Sequence, residues 1–289
     1  MMFIDVVSNP TADIEFNSLQ RDNQVINNVG RFFLGKRLCK RKARTIQSQS
    51  HQSSIFQNLE VNETIHSLNQ QGIYQNLNLP EPIIKEIHDL ALATPCHDPN
   101  NTQFSFHVSE KEQVMMETGK PLDRGIYTNS TLSCSTIKQL ETDPILLAIA
   151  AKHLNAEPIH QDTQLWWSFA VESTLYERRQ ESQRFFRDIK NPRSLTFYFY
   201  LTDVDLCSNP HVCVLGSHRR KKLTSRFLRQ DHSIREISQH YGYANITSIC
   251  GKAGLGFVQD ARCFHKKNSP SSSDRLTLEL KFTAKPRSI

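Results

Sequence analysis

Residues 194–204 read SLTFYFYLTDV, and the fold turns on this run. Leu195, Phe197, Phe199 and Leu201 alternate with Thr196, Tyr198, Tyr200 and Thr202, a period of two that gives a β-strand two distinct faces. The same period returns in RLTLELKFTA, 275–284, where Leu276, Leu278, Leu280 and Phe282 alternate with Thr277, Glu279 and Lys281. QLWWSFAV (164–171), HVCVLGSH (211–218) and the glycine-punctuated GKAGLGFVQD (251–260) are further strand-like pieces. Upstream the period is helical. VNETIHSLNQQGIY (61–74) predicts one helix, and PEPIIKEIHDLALATP (80–95) predicts a second, with Ile83, Ile84, Ile87, Leu90 and Leu92 at helical spacing. DPILLAIAAKHLNAEP (143–158) predicts a third, opened by Asp143-Pro144 and closed before Pro158. Helices come first and strands afterwards, joined by loops rather than regular crossover helices. That order predicts an α+β protein whose β part is a sandwich or barrel.

At 289 residues and 38% hydrophobic composition, the chain can bury a proper core. Its longest purely apolar run, 145–151, falls far short of the roughly 20 residues of a membrane span, which excludes a transmembrane reading. The N-terminus lacks the features of a secretory signal, and Asp5, Asp13 and Glu15 argue against an acid-poor transit peptide, so the expected address is cytoplasmic. Seven cysteines (39, 96, 134, 207, 213, 250, 263) include no CxxC pair and read as reduced thiols rather than a disulfide framework or zinc ribbon. The pI of 8.9 has a local source. Residues 31–44, RFFLGKRLCKRKAR, carry seven basic residues and no acid, while the whole chain is only +6. With SQSHQSS (48–54), they belong to a polar, aperiodic stretch over residues 1–55 that reads as a solvated, flexible extension. Only Phe32 and Phe33 stand among the cations for base stacking, so nucleic acid and an anionic membrane surface are both weaker readings of this segment.

Most chemical motifs are absent. GKAGLG (251–256) has neither dinucleotide nor P-loop spacing and reads as a turn into a strand. Ser217 has no GxSxG context, and SPSSSD (269–274) is a turn. One ordered set remains: Asp188, then His265, then Arg275. A carboxylate and an imidazole from different strands are two members of the facial triad that holds Fe(II) by one face, with one histidine missing. The planar fork of an arginine on the last strand suits the far carboxylate of 2-oxoglutarate.

LTFYFYLTDVDLCSNPHVCVLGSH (195–218), followed by GKAGLGFVQDARCFHKKNSPSSSDRLTLELKF (251–282), resembles the phytanoyl-CoA dioxygenase family of Fe(II)/2-oxoglutarate oxygenases. That family shows a YLTDVD strand, a GPH…V.GSH segment, then G..G....D....H and a closing R.....L. DPILLAIAAKHLNAEP and TQLWWSFAVES are also family-like. The resemblance covers residues 56–289 and implies a double-stranded β-helix, a jelly roll, with N-terminal helices packed on it. It makes His265 the distal metal ligand and Arg275 the anchor for 2-oxoglutarate. It places the family's proximal HxD on Phe186-Arg187-Asp188. Asp188 matches and Phe186 does not.

If active, such a protein would bind Fe(II), consume the cosubstrate 2-oxoglutarate with O2, and hydroxylate an aliphatic C–H of a small molecule. The alternative is a catalytically degenerate member acting as a binding or regulatory protein, since phenylalanine cannot coordinate iron. A literal HxD at His160-Gln161-Asp162 lies before a different strand and reads as a surface turn or a relocated pair. His211 and His218 are further candidates for the lost ligand, against a structural role. The basic run HRRKK (218–222) could attract an anionic substrate such as an acyl-CoA thioester, or be a solvated loop.

Overall fold

A computed structural model describes residues 53–128, 134–170, 184–188, 191–208, 210–219, 231–266 and 273–285. The segment 1–52, with its basic run, lies outside them, as do 267–272 and most of HRRKK. The first half comprises α1 (Val61–Gln71), β1 (Ile73–Gln75), α2 (Glu81–Ala93), β2 (Cys96–Asp98), β3 (Asn101–Phe106), α3 (Lys111–Thr118), β4 (Arg124–Ile126), α4 (Ser135–Glu141) and α5 (Pro144–Leu154). The second comprises β5 (Pro158–Ser168), β6 (Arg184–Phe186), β7 (Ser194–Tyr200), β8 (His211–Val214), β9 (Asp231–Ser233), α6 (Ile234–Tyr241), β10 (Ile246–Ile249), β11 (Gly256–Asp260), β12 (His265–Lys266) and β13 (Arg275–Ala284).

The strands form two antiparallel sheets. The larger runs β1-β11-β7-β13-β5-β4-β2-β3 and the smaller β10-β8-β12-β6-β9. Both faces of β7 are buried. Leu195, Phe197 and Phe199 join Leu276, Leu278, Leu280 and Phe282 of β13 against the helices. Tyr198 and Tyr200 turn to the other side, where Trp166 and Phe257 of the large sheet meet Cys213 and Ile249 of the small one. The outer face of the small sheet is closed by α6, whose Ile237 and Tyr241 pack on Phe185, Val214 and Phe264. The result is the α+β jelly roll that the family resemblance implies, with each fully buried Leu or Phe contributing about 1.5–3 kcal/mol.

Local chemistry sets the element ends. Pro144 sits in the first turn of α5, and the Asp143 carboxylate accepts from the N–H groups of Ile145 and Leu146. Asp143 also accepts from Ser54 Oγ and Ile55 N, so these two residues belong to the folded body rather than to the extension. The helix stops at Asn155, in the left-handed region at φ 48°, short of the proline. The α1 helix ends at Gly72, φ 78°, and Ile73–Gln75 pairs with β11 instead of continuing the helix. No other residue fits there, because a Cβ on Gly72 would stand 2.2 Å from Cys263 Sγ. On α2, Ile84, Ile87 and Ala91 are buried, but Leu92 is 47% exposed despite its apolar spacing. β5 starts at Pro158, earlier than the apolar run at Leu165, because its first half pairs with the far end of β13.

Candidate functional site between the two sheets

The short strand β6 lies between β12 and β9, and its last residue, Phe186, is the register partner of His265. Their rings meet edge to face with centroids 4.6 Å apart. Phe186 is 36% exposed, while His265 is buried. On its other side His265 stacks on His211, 5.4 Å between centroids and 18° from parallel. Gln259 of β11 joins the two imidazoles: its Oε1 is 2.7 Å from His211 Nε2 and its Nε2 is 3.0 Å from His265 Nδ1. His265 Nδ1 is also 3.0 Å from the Cys263 carbonyl. With the proton on Nδ1 that carbonyl accepts; with it on Nε2 the Gln259 amide donates.

Asp188, two residues beyond Phe186, is engaged by groups of its own chain. Its N–H donates to Ala261 O, and its Oδ1 accepts from Asn191 N at 2.9 Å. Its Oδ2 takes the ammonium of Lys281 at 2.6 Å, in an ion pair whose side chains are 25% and 19% exposed. Lys281 stands on β13, in register with Thr196 of β7 and Asp162 of β5.

Arg275 opens β13 opposite Ser168 and is buried, with its guanidinium 5.9 Å over the Tyr200 ring. Burial lowers its pKa, but an arginine keeps its charge. Trp166, Tyr198, Tyr200, His211, Phe257 and Thr277 close around it, leaving a cavity of about 10 Å³, room for one water. Burial pushes Tyr200 up to about 12; its hydroxyl donates to Ile249 O and accepts from His211 N. Burial, then the charges of Glu279 and Asp188, raise Tyr198 well above the ordinary phenol.

The other candidates lie apart from this cluster. His160 sets its Nε2 2.7 Å from Thr163 Oγ1 and its ring on Phe282, on the helix-covered face, and Asp162 accepts from Gln164. The literal HxD is therefore a strand segment rather than a surface turn, and the extra residue Gln161 is a bulge that sends His160 and Asp162 to different sides. His218 Nδ1 is 3.6 Å from Cys263 Sγ beside Gly72, and burial lowers its pKa. Of HRRKK, only His218 and Arg219 lie within the described residues.

The structure thus gathers Phe186, His265, His211 and Gln259, places Arg275 behind them, and ties Asp188 to Lys281. Among the described residues no three His, Cys, Asp or Glu side chains converge to hold a metal ion. Placed this way, the residues do not fit an iron ion with a chelating 2-oxoglutarate. Sequence reasoning missed Lys281 and Gln259. The only available signal for Lys281 was its place in the polar face of the β13 alternation.

No family model and no curated protein sequence matches the chain. Solved structures do. The non-heme alpha-ketoglutarate-dependent epimerase SnoN from nogalamycin biosynthesis aligns with TM-score 0.53 at 14% identity, over 78% of this chain and 83% of its own. EctD from S. alaskensis, in its apoform, aligns with TM-score 0.53 at 13% identity, over 82% of this chain and 80% of its own. The non-heme alpha-ketoglutarate-dependent carbocyclase SnoK, also from nogalamycin biosynthesis, aligns with TM-score 0.52 at 15% identity, over 81% and 87%. EctD has also been solved with bound Fe. The chain has the jelly-roll fold of these iron and 2-oxoglutarate proteins. Among the described residues no helix is long and apolar enough to cross a membrane.

Proposed function

We propose that this chain is a phytanoyl-CoA dioxygenase-like jelly roll that has given up iron oxygenase chemistry and serves as a binding or regulatory protein. The observation that carries the reading is the Phe186–His265 pair. An aromatic ring stands in register with the histidine that would be the distal ligand, where a first histidine would complete the set. Phenylalanine offers no lone pair. Losing a residue that merely orients a ligand costs about 10- to 100-fold in metal affinity, so losing a ligand costs more.

The surroundings of Arg275 support the same reading. Small-molecule sites run to about 300–1,000 Å³, whereas the space that the described residues enclose beneath this guanidinium is about 10 Å³. The ligand class favoured by the charge distribution is a small anion, an acid or acyl thioester. Arg219, from the basic run, lines a groove of about 520 Å³ with Gln70, Gln71 and Asn245.

The test is an anaerobic titration of the protein with Fe(II) and 2-oxoglutarate, followed by admission of O2. The expected result is no saturable visible charge-transfer band and no succinate above a protein-free control. A saturable band with succinate release overturns the reading and returns the chain to the hydroxylases of aliphatic C–H bonds.

A further inference from the structure

We infer that Lys281 is the chain's internal substitute for the metal: its ammonium supplies, against Asp188, the positive charge that a bound cation would supply. This rests on the reading of the preceding section and adds a second, independent block to it.

Three observations carry it. The first is the contact itself. Lys281 Nζ lies 2.6 Å from Asp188 Oδ2, and the other carboxylate oxygen is taken by Asn191 N, so both oxygens have donors before any ion arrives. A metal ion would have to displace an ammonium from a three-quarters-buried carboxylate and leave a lysine between the sheets without its counter-charge.

The second is how the fold aims the lysine. Arg275, Thr277, Glu279 and Lys281 alternate along one face of β13, all turned away from the helix-packed leucines. The pairing with β5 shifts register between Lys281 and Phe282, where Gln161 is the extra residue. The bulge lies on β5 and turns His160 and Asp162, while β13 keeps an unbroken alternation that puts Lys281 on the same face as Arg275.

The third is the charge order on that face. Glu279, buried, stands between Arg275 and Lys281. A dicarboxylate stretched from the guanidinium toward Asp188 would run along the Glu279 carboxylate, whereas the sequence plus, minus, plus closes on Asp188 as a self-neutralised row. Phe186 removes a ligand, and Lys281 supplies the positive charge that a bound cation would have brought. The two changes complement each other: an ammonium needs one carboxylate, not a second imidazole.

The role is tested with Mn(II), a probe that needs no turnover, by loss of the free-ion electron paramagnetic resonance signal. The unaltered protein, Phe186→His, Lys281→Met and the double variant are compared, each confirmed folded by circular dichroism. The expected order is no saturation for the unaltered protein and for Phe186→His, and binding at least 100-fold tighter for the double variant. Lys281→Met alone is expected to melt lower than the unaltered protein and to regain part of the loss with Mn(II).

Binding by Phe186→His as tight as by the double variant overturns the role of Lys281, as does a folded double variant that binds no Mn(II). If the double variant does not fold, amine acetylation of the unaltered protein decides. Lys281 is expected to react more slowly than the exposed Lys252, with or without Mn(II), and fast or Mn(II)-sensitive labelling overturns the proposal. Iron-dependent succinate release by the unaltered protein would defeat the preceding section's reading and this one with it, whereas tight Mn(II) binding by Phe186→His without such release defeats the role of Lys281 alone, so the two failures are distinguishable.

Discussion

Phe186 and His265 face each other across the β6–β12 pair, ring centroids 4.6 Å apart and 65° between their planes. An edge-to-face pair of this kind contributes about 0.5–1.5 kcal/mol beyond area burial, and Phe186 is only partly buried. Phe186→Ala is therefore expected to cost about 1 kcal/mol, a fall in Tm of roughly 2–4 °C for a domain of this size. Phe186→His is expected to cost less, because an imidazole keeps an aromatic edge on His265. Thermal unfolding followed by circular dichroism checks both; a fall of more than about 3 kcal/mol for Phe186→Ala would show that the ring does more than fill the place of a ligand.

Gln259 is the next weak point, because it is almost wholly buried and its amide serves two imidazoles at once. Gln259→Leu keeps the volume and strips contacts from His211 Nε2 and His265 Nδ1. A buried polar group that loses its partner costs about 1–3 kcal/mol, and His265 Nδ1 retains a second partner, so the expected loss is about 1–3 kcal/mol in urea unfolding. His265 can still donate Nδ1–H to Cys263 O, so its nitrogen-15 shifts are expected to report the Nδ1–H tautomer in this variant. A loss below about 1 kcal/mol would show that Gln259 does not bind the two rings together.

The jelly roll could be read from the sequence, but the interior of the site could not. The alternation in 194–204 and 275–284 gave the strands correctly, yet alternation says only that a strand has two faces. Whether the Tyr198 or Glu279 face is wet depends on a second sheet, and neither strand encodes that sheet. The alternation marks Glu279 and Lys281 only as the second face of β13, and it does not show that Glu279 stands in register with Tyr198 or that Lys281 reaches Asp188. The ion pair joins residues 93 positions apart, and no local pattern links them. Strands β1, β2 and β4, three residues each, are too short to show a period. Their places are fixed by distant partners such as β11 and β5. The departure at Phe186 was legible because it broke a resemblance at one position; the answering lysine was not, because it broke nothing.

Cysteine reactivity should divide by burial. Burial pushes the thiols of Cys96 and Cys263 up to about 12, and raises Cys213 well above the ordinary thiol range. Cys207 and Cys250 are exposed. Since the thiolate is the nucleophile, brief treatment of the native protein with iodoacetamide at pH 7.5 is expected to label Cys207 and Cys250. Cys96, Cys213 and Cys263 should stay unlabelled until the protein is unfolded. Peptide mass spectrometry reads the result, and native labelling of Cys263 would contradict its packing beside Gly72.

Acid should destabilise the protein through Asp260. Burial alone would raise its pKa, but hydrogen bonds from Arg262 and His153, with the charge of Arg262, outweigh that and hold the carboxyl well below the ordinary range. A carboxyl depressed in the folded state contributes stability that is fully present above its unfolded pKa of about 3.9 and is lost as pH falls toward the folded value. The expected contribution at pH 7 is on the order of 2–3 kcal/mol, because the Asp260 side chain is almost wholly buried, although Arg262 is half exposed and its share is screened. Asp260→Asn should therefore be less stable than the unaltered protein at pH 7, and the two should converge as pH drops below about 4. Urea unfolding at a series of pH values between 7 and 2.5 checks the sign. A difference that stays constant over that range would mean that the variant loses hydrogen bonds alone and that the charge of Asp260 contributes nothing.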